Sequence, residues 1–92
     1  MNEARRSCTI VNQRGLHARA SAKFVNTVAA LPGGYEVRVV KDCNEAGGGS
    51  ILGLMMLGAA KGDTIEVRVK GDGDGRVLEQ LCTLVGDGFG ED

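Results

Sequence analysis

The sequence predicts an α+β fold, an open-faced β-sandwich in which a four-stranded antiparallel sheet carries three helices packed on one face. Two observations predict it. Several segments alternate apolar and polar residues with the period of a strand that has one wet face, and they interleave with segments whose apolar residues recur at helical spacing. The 92 residues, 42% of them hydrophobic, suit a single domain over 1–92 with a modest core.

In the first strand, 7–12, Cys8 and Ile10 share one face and Thr9 takes the other. The second, 35–41, sets Tyr35, Val37 and Val39 against Glu36 and Arg38. Asp42–Asn44 has turn composition and leaves room for a short edge strand near Glu45 and Ala46. In the last strand, 63–70, Ile65, Val67 and Val69 oppose Thr64, Glu66, Arg68 and Lys70. The first helix runs from Ala18 to about Leu31, with Phe24, Val28 and Leu31 at i, i+4 and i+7, until Pro32-Gly33-Gly34 stops it. A short helix follows Ser50, its expected cap, through Ile51–Leu57. The third, from about Gly75 to Phe89, carries the stripe Leu78, Leu81, Val85, Phe89, with Asp74 as its expected N-cap.

Composition excludes several classes. No run approaches the roughly 18 apolar residues of a membrane span, and MNEARRSCTIVN lacks the apolar core of a signal peptide. Cys8, Cys43 and Cys82 are too scattered for zinc spacing and read as reduced thiols, small buried hydrophobes of a cytoplasmic protein. A formal charge of −1 and 3% aromatic residues argue against nucleic-acid binding. Gly47-Gly48-Gly49-Ser50 lacks the lysine of a P-loop. Asp72-Gly73-Asp74-Gly75 fails as a calcium loop, because Lys70 and Leu81 occupy the first and last ligand positions. No metal or cofactor is expected.

The chemistry points to Gly15-Leu16-His17-Ala18-Arg19, which holds the only histidine. A neutral imidazole is nucleophilic, and the phosphoramidate it forms with a phosphoryl group is labile enough to pass on. The helix start beneath it offers free backbone N–H groups and positive dipole character, both suited to phosphate. Arg19 adds a planar, permanently charged fork, with Arg14 and Lys23 nearby. The acids gather elsewhere in the sequence, at Asp72, Asp74, Asp87, Glu91 and Asp92.

Ser50–Ala60 contains no charged residue. A helix that is apolar all round is either buried throughout or turns an apolar face outward. A chain this small has little room for the first option. Leu54 and Leu57 should point inward, leaving Ile51, Leu52, Met55 and Met56 as an adaptable docking patch.

GLHARASAKFV, SILGLMMLGAAKGDTIEV and the closing GFGED resemble HPr, the histidine phosphocarrier family of the bacterial phosphoenolpyruvate-dependent phosphotransferase system, over essentially the whole chain. The resemblance implies the same four-stranded sheet with three helices on one face. It implies that His17 is phosphorylated on Nδ1 by enzyme I and passes the group to a histidine of an enzyme IIA domain. It places Arg19 on the phosphate-interacting arginine, and Ile51, Leu52 and Met55 on the docking helix. Ser50 falls on the serine that the HPr serine kinase/phosphorylase modifies in many members. The chain would be a cytoplasmic monomer and a substrate of other enzymes, not an enzyme itself. Ala20 stands where members usually have proline, supplying an extra N–H at the cost of a fixed φ. Gly47-Gly48-Gly49 adds flexibility just before Ser50. The middle segment and the GFGED end resemble the nitrogen-related branch more than the sugar-transport members. The alternative is an interaction module that docks through the Ile51–Met56 helix and carries no phosphate.

Overall fold

The computed structural model describes residues 3–71 and 75–91. Four strands, β1 (Glu3–Thr9), β2 (Glu36–Lys41), β3 (Asn44–Gly47) and β4 (Thr64–Lys70), form one antiparallel sheet in the order β1-β4-β2-β3. Among the described residues there are three α-helices, α1 (Ala18–Ala29), α2 (Ile51–Met56) and α3 (Arg76–Gly86), and a 3₁₀ turn at Gly88–Gly90. This is the architecture expected from the sequence.

Register explains the core. Val37 pairs with Val69, Val39 with Val67 and Cys8 with Ile65, so the apolar members of three strands fall on one face. Phe24 from α1, Leu54 from α2, and Leu81 and Val85 from α3 close over that face and are fully buried. On the other face Arg5, Arg68 and Arg38 lie side by side across the strands. Like charges so placed repel. Glu3, Glu66 and Glu36, each two residues from an arginine on its own strand, pair with them and offset the repulsion.

Several boundaries differ from the periodic reading, each for a physical reason. β1 begins at Glu3, well before the alternation starts, because backbone pairing with β4 runs on to Glu3–Lys70 whatever the side chains are. β1 ends at Thr9, although Ile10 still exchanges hydrogen bonds with Asp63 and Gly62 and is wholly buried. The β2–β3 turn is tighter than expected: Asp42 takes φ 55° and Asn44 already pairs with Lys41. Cys43 therefore sits exposed at the turn, contrary to the reading of all three cysteines as buried hydrophobes.

The glycine run is more constrained than its composition suggests. Gly47 belongs to β3, and Gly48 donates to the Val37 carbonyl at 2.8 Å. A Cβ on Gly48 would lie 2.7 Å from Val37 Cγ1, so this glycine is required by close packing.

At α3, Gly75 occupies the N-cap position with φ 75°; the expected cap Asp74 lies outside the described residues, as do Asp72 and Asp92. α3 stops at Gly86, short of Phe89, because the chain turns left-handed at Gly88 (φ 66°). Phe89 nevertheless completes the buried stripe from the 3₁₀ turn, itself at φ 59°. A bulky residue in the left-handed region is strained, and only complete burial of the ring makes it tenable. Phe89→Ala should therefore cost about 3–5 kcal/mol by chemical denaturation, the range for a large aromatic removed from a core; a loss below about 1 kcal/mol would mean the ring is not anchoring this turn.

Candidate functional site

The site begins with a turn. After Ile10 the chain reverses through Asn12–Gly15, where Gly15 donates to the Asn12 carbonyl at 3.2 Å and adopts φ 64°. A Cβ at Gly15 would lie 2.3 Å from the Ala59 carbonyl oxygen, so no side chain fits. That close approach lets Leu16 N–H donate to the same carbonyl at 2.9 Å. His17 then follows as the N-cap of α1, in extended conformation, with its carbonyl accepting from Ser21 N–H at 2.9 Å.

His17 caps the helix with its ring. Nδ1 accepts from Arg19 N–H at 3.2 Å, satisfying one of the free donors of the first turn. Nε2 meets Glu91 at 2.8 Å and 3.1 Å to the two carboxylate oxygens. An ionised carboxylate only accepts. The proton therefore sits on Nε2, leaving the Nδ1 lone pair at the helix N-terminus, and the two contacts fix one neutral tautomer. The side chains of His17 and Glu91 keep 21% and 20% of their exposure, so the ring is oriented but reachable.

Glu91 is held in turn by Asn12, whose Nδ2 donates to Glu91 Oε1 at 3.0 Å and to the Gly15 carbonyl at 2.9 Å. Asn12 is buried, and its Oδ1 has no hydrogen-bond partner among the described residues. The hydrogen bond from His17 depresses the Glu91 carboxyl below its ordinary value, with Asn12 and the positive charge of Arg19 assisting against the cost of desolvation. Arg14, Arg19 and Lys23 line an open groove of about 410 Å³ beside Glu91, together with Gln13 and Gly90.

Arg14, Arg19 and Lys23 thus share a groove with Glu91, the partner of His17, and the Arg19 N–H reaches the His17 ring. Ala20 is buried in the first turn of α1, where its N–H adds to the free donors near His17. On α2, Ser50 is the N-cap, accepting from Gly53 N–H at 2.9 Å. Leu54 and Leu57 are buried, whereas Ile51, Leu52, Met55 and Met56 are 40–77% exposed. Among the described residues no group of three metal-ligating side chains occurs. None of the described helices is long and apolar enough to cross a membrane.

Asn12 and Glu91 escaped the sequence reading. In the sequence Glu91 is one of the acids gathered away from His17, and its contact with His17 spans 74 residues. The one local hint was Asn12, a polar residue directly after a strand and before a glycine turn. The Glu91 contact has a titratable consequence. Because the folded value is lowered, its contribution to stability is fully present above the ordinary carboxylate range and is lost as pH falls through the lowered value. Carboxyl-carbon NMR should show the Glu91 midpoint rising in His17→Ala; an unmoved midpoint would show that another group depresses it.

Comparison with known proteins agrees with this geometry. The family model described as PTS HPr component phosphorylation site matches residues 4–87. The phosphocarrier protein HPr of Neisseria meningitidis serogroup A is 42% identical over 87 residues, covering 95% of this chain and 96% of the relative. The phosphocarrier protein NPr of Shewanella violacea is 36% identical over 91 residues, covering 99% and 98%. The crystal structure of HPr-C-His from Thermoanaerobacter tengcongensis superposes with a TM-score of 0.84 at 33% identity, covering 100% of this chain and 99% of that one. Relatives of both names thus align along nearly the full length. The chain belongs to the HPr family, the phosphocarriers of the phosphotransferase system, which carry a phosphoryl group and are not themselves enzymes.

Proposed function

We propose that His17 is the phosphoryl-carrying residue, loaded on Nδ1 by phospho-enzyme I and unloaded onto a histidine of an enzyme IIA domain. The observation that carries this reading is the pair of opposed contacts on the ring: Nε2 bound to Glu91 and Nδ1 turned to the N-terminus of α1. In the transfer the Nδ1 lone pair attacks phosphorus as the phosphorus–nitrogen bond to the donor histidine breaks. Arg19 N–H moves from Nδ1 to a phosphoryl oxygen, and the helix N-terminus accommodates the added negative charge. Glu91 keeps the Nε2 proton and balances the positive charge that develops on the ring. The Arg19 guanidinium, lining the adjoining groove with Arg14 and Lys23, supplies a bidentate hold on the same oxygens. Unloading is the reverse displacement. It needs no bound metal or cofactor, since the incoming partner provides the second nucleophile.

The exposed Ile51, Leu52, Met55 and Met56 provide the apolar part of the docking surface. Methionines suit it because unbranched side chains repack against different partners. On this reading 1–92 acts as one monomeric carrier unit in the cytoplasm. Ser50, exposed at the head of that patch, is the candidate regulatory position for an HPr serine kinase/phosphorylase. A phosphate there adds about −2 charge, favourable to the helix N-terminus but adverse beside an apolar docking face.

Two experiments test these readings. Incubation with enzyme I and phosphoenolpyruvate should add one acid-labile, base-stable phosphate by mass, and His17→Ala should abolish it. Persistent labelling of the variant would identify a different acceptor, and no labelling of the unaltered protein would leave a docking module without carrier activity. Ser50→Asp should leave the fold intact by circular dichroism and slow loading by about tenfold, equivalent to about 1.4 kcal/mol of docking energy; an unchanged rate would refute regulation through this serine.

A further inference from the structure

From the packing of β1 against α3 we infer that Cys8 and Cys82 form a reversible redox pair, a modification site separate from His17. Cys8 is buried on the helix-facing side of β1, and Cys82 is half-buried on α3. They are 74 residues apart in sequence, yet their Sγ atoms lie 2.8 Å apart, with Cys8 donating to Cys82. Less than an ångström of approach separates that spacing from a covalent S–S bond. Cys43, exposed in the β2–β3 turn, is not part of the pair.

The two thiols are unequal. Burial, helped by the contact with Cys82, pushes the Cys8 thiol up to about 12, so Cys8 stays protonated at neutral pH and is a poor first nucleophile. Cys82 is the more accessible of the two and is the thiol that an oxidant such as hydrogen peroxide reaches. Its sulfur attacks one peroxide oxygen, the O–O bond breaks, and Cys82 becomes a sulfenic acid as one water leaves. Cys8 Sγ then displaces hydroxide from the Cys82 sulfur, and the Cys8 proton leaves with it as a second water. Two thiols are oxidised to one disulfide and one peroxide is reduced to two waters.

The position of the bond gives it a consequence. It would tie β1, which leads into Asn12, to α3, which leads into Phe89 and Glu91. Glu91, which holds Nε2 of His17, and Asn12, which holds Glu91, would then hang from one cross-linked pair of elements.

The test uses the full chain carrying Cys43→Ser, which removes the competing exposed thiol. After treatment with equimolar hydrogen peroxide, the protein is unfolded without reductant and alkylated. The expected product has lost two hydrogens, takes no alkyl group, and takes two after dithiothreitol. Adding Cys82→Ser should abolish the loss. Two alkylated thiols after oxidation, or a Cys82 oxyacid beside an alkylated Cys8, would overturn the pairing.

Discussion

The site depends on a steric constraint at Gly15. The chain must leave the sheet, pass close to the Ala59 carbonyl and enter a helix within a few residues, and a Cβ at Gly15 would sit 2.3 Å from that oxygen. With none there, the turn closes, Leu16 N–H reaches the carbonyl, and His17 emerges as an N-cap with its ring beside the first turn. The same turn presents its own carbonyl to Asn12, which carries the restraint on to Glu91. One glycine conformation thus sets the positions of His17, its capping amide and Asn12, the residue that orients Glu91.

A second constraint comes from the other end of the chain. Phe89 holds a left-handed backbone that its side chain would ordinarily forbid, and its buried ring keeps that turn in place. The turn brings Glu91 back to within hydrogen-bond distance of a histidine 74 residues away. Core packing and site geometry are therefore not independent here. Loosening the core around Phe89 releases the group that fixes the tautomer of His17.

Much of the fold is legible in the sequence because each element repeats its own period. β4 alternates so regularly that its inward residues, Ile65, Val67 and Val69, follow directly, and the inward pair Leu54 and Leu57 follows from the shortage of room around α2. Boundaries are less legible. Glu3–Arg6 joins the sheet through backbone pairing, which no side-chain pattern reports, and α3 ends on a change of backbone handedness at Gly88. The site divides along the same line. His17 and Arg19 are local features of a helix start, whereas Asn12 and Glu91 matter only through contacts made after folding.

The two ring nitrogens of His17 differ in how firmly they are held, and in the proposed transfer this difference decides which of them would react. Nε2 donates to a carboxylate at 2.8 Å, a charge-assisted bond roughly twice as strong as one between neutral groups. Nδ1 accepts from a single backbone amide at 3.2 Å, a longer and weaker contact. An electrophile approaching the Nε2 edge would have to displace an anion and remove a proton. At Nδ1 it displaces one N–H that can at once bond to the incoming oxygen. In the proposed transfer, selectivity for Nδ1 would follow from this inequality of contacts, and it would persist only while Glu91 remains ionised and in place.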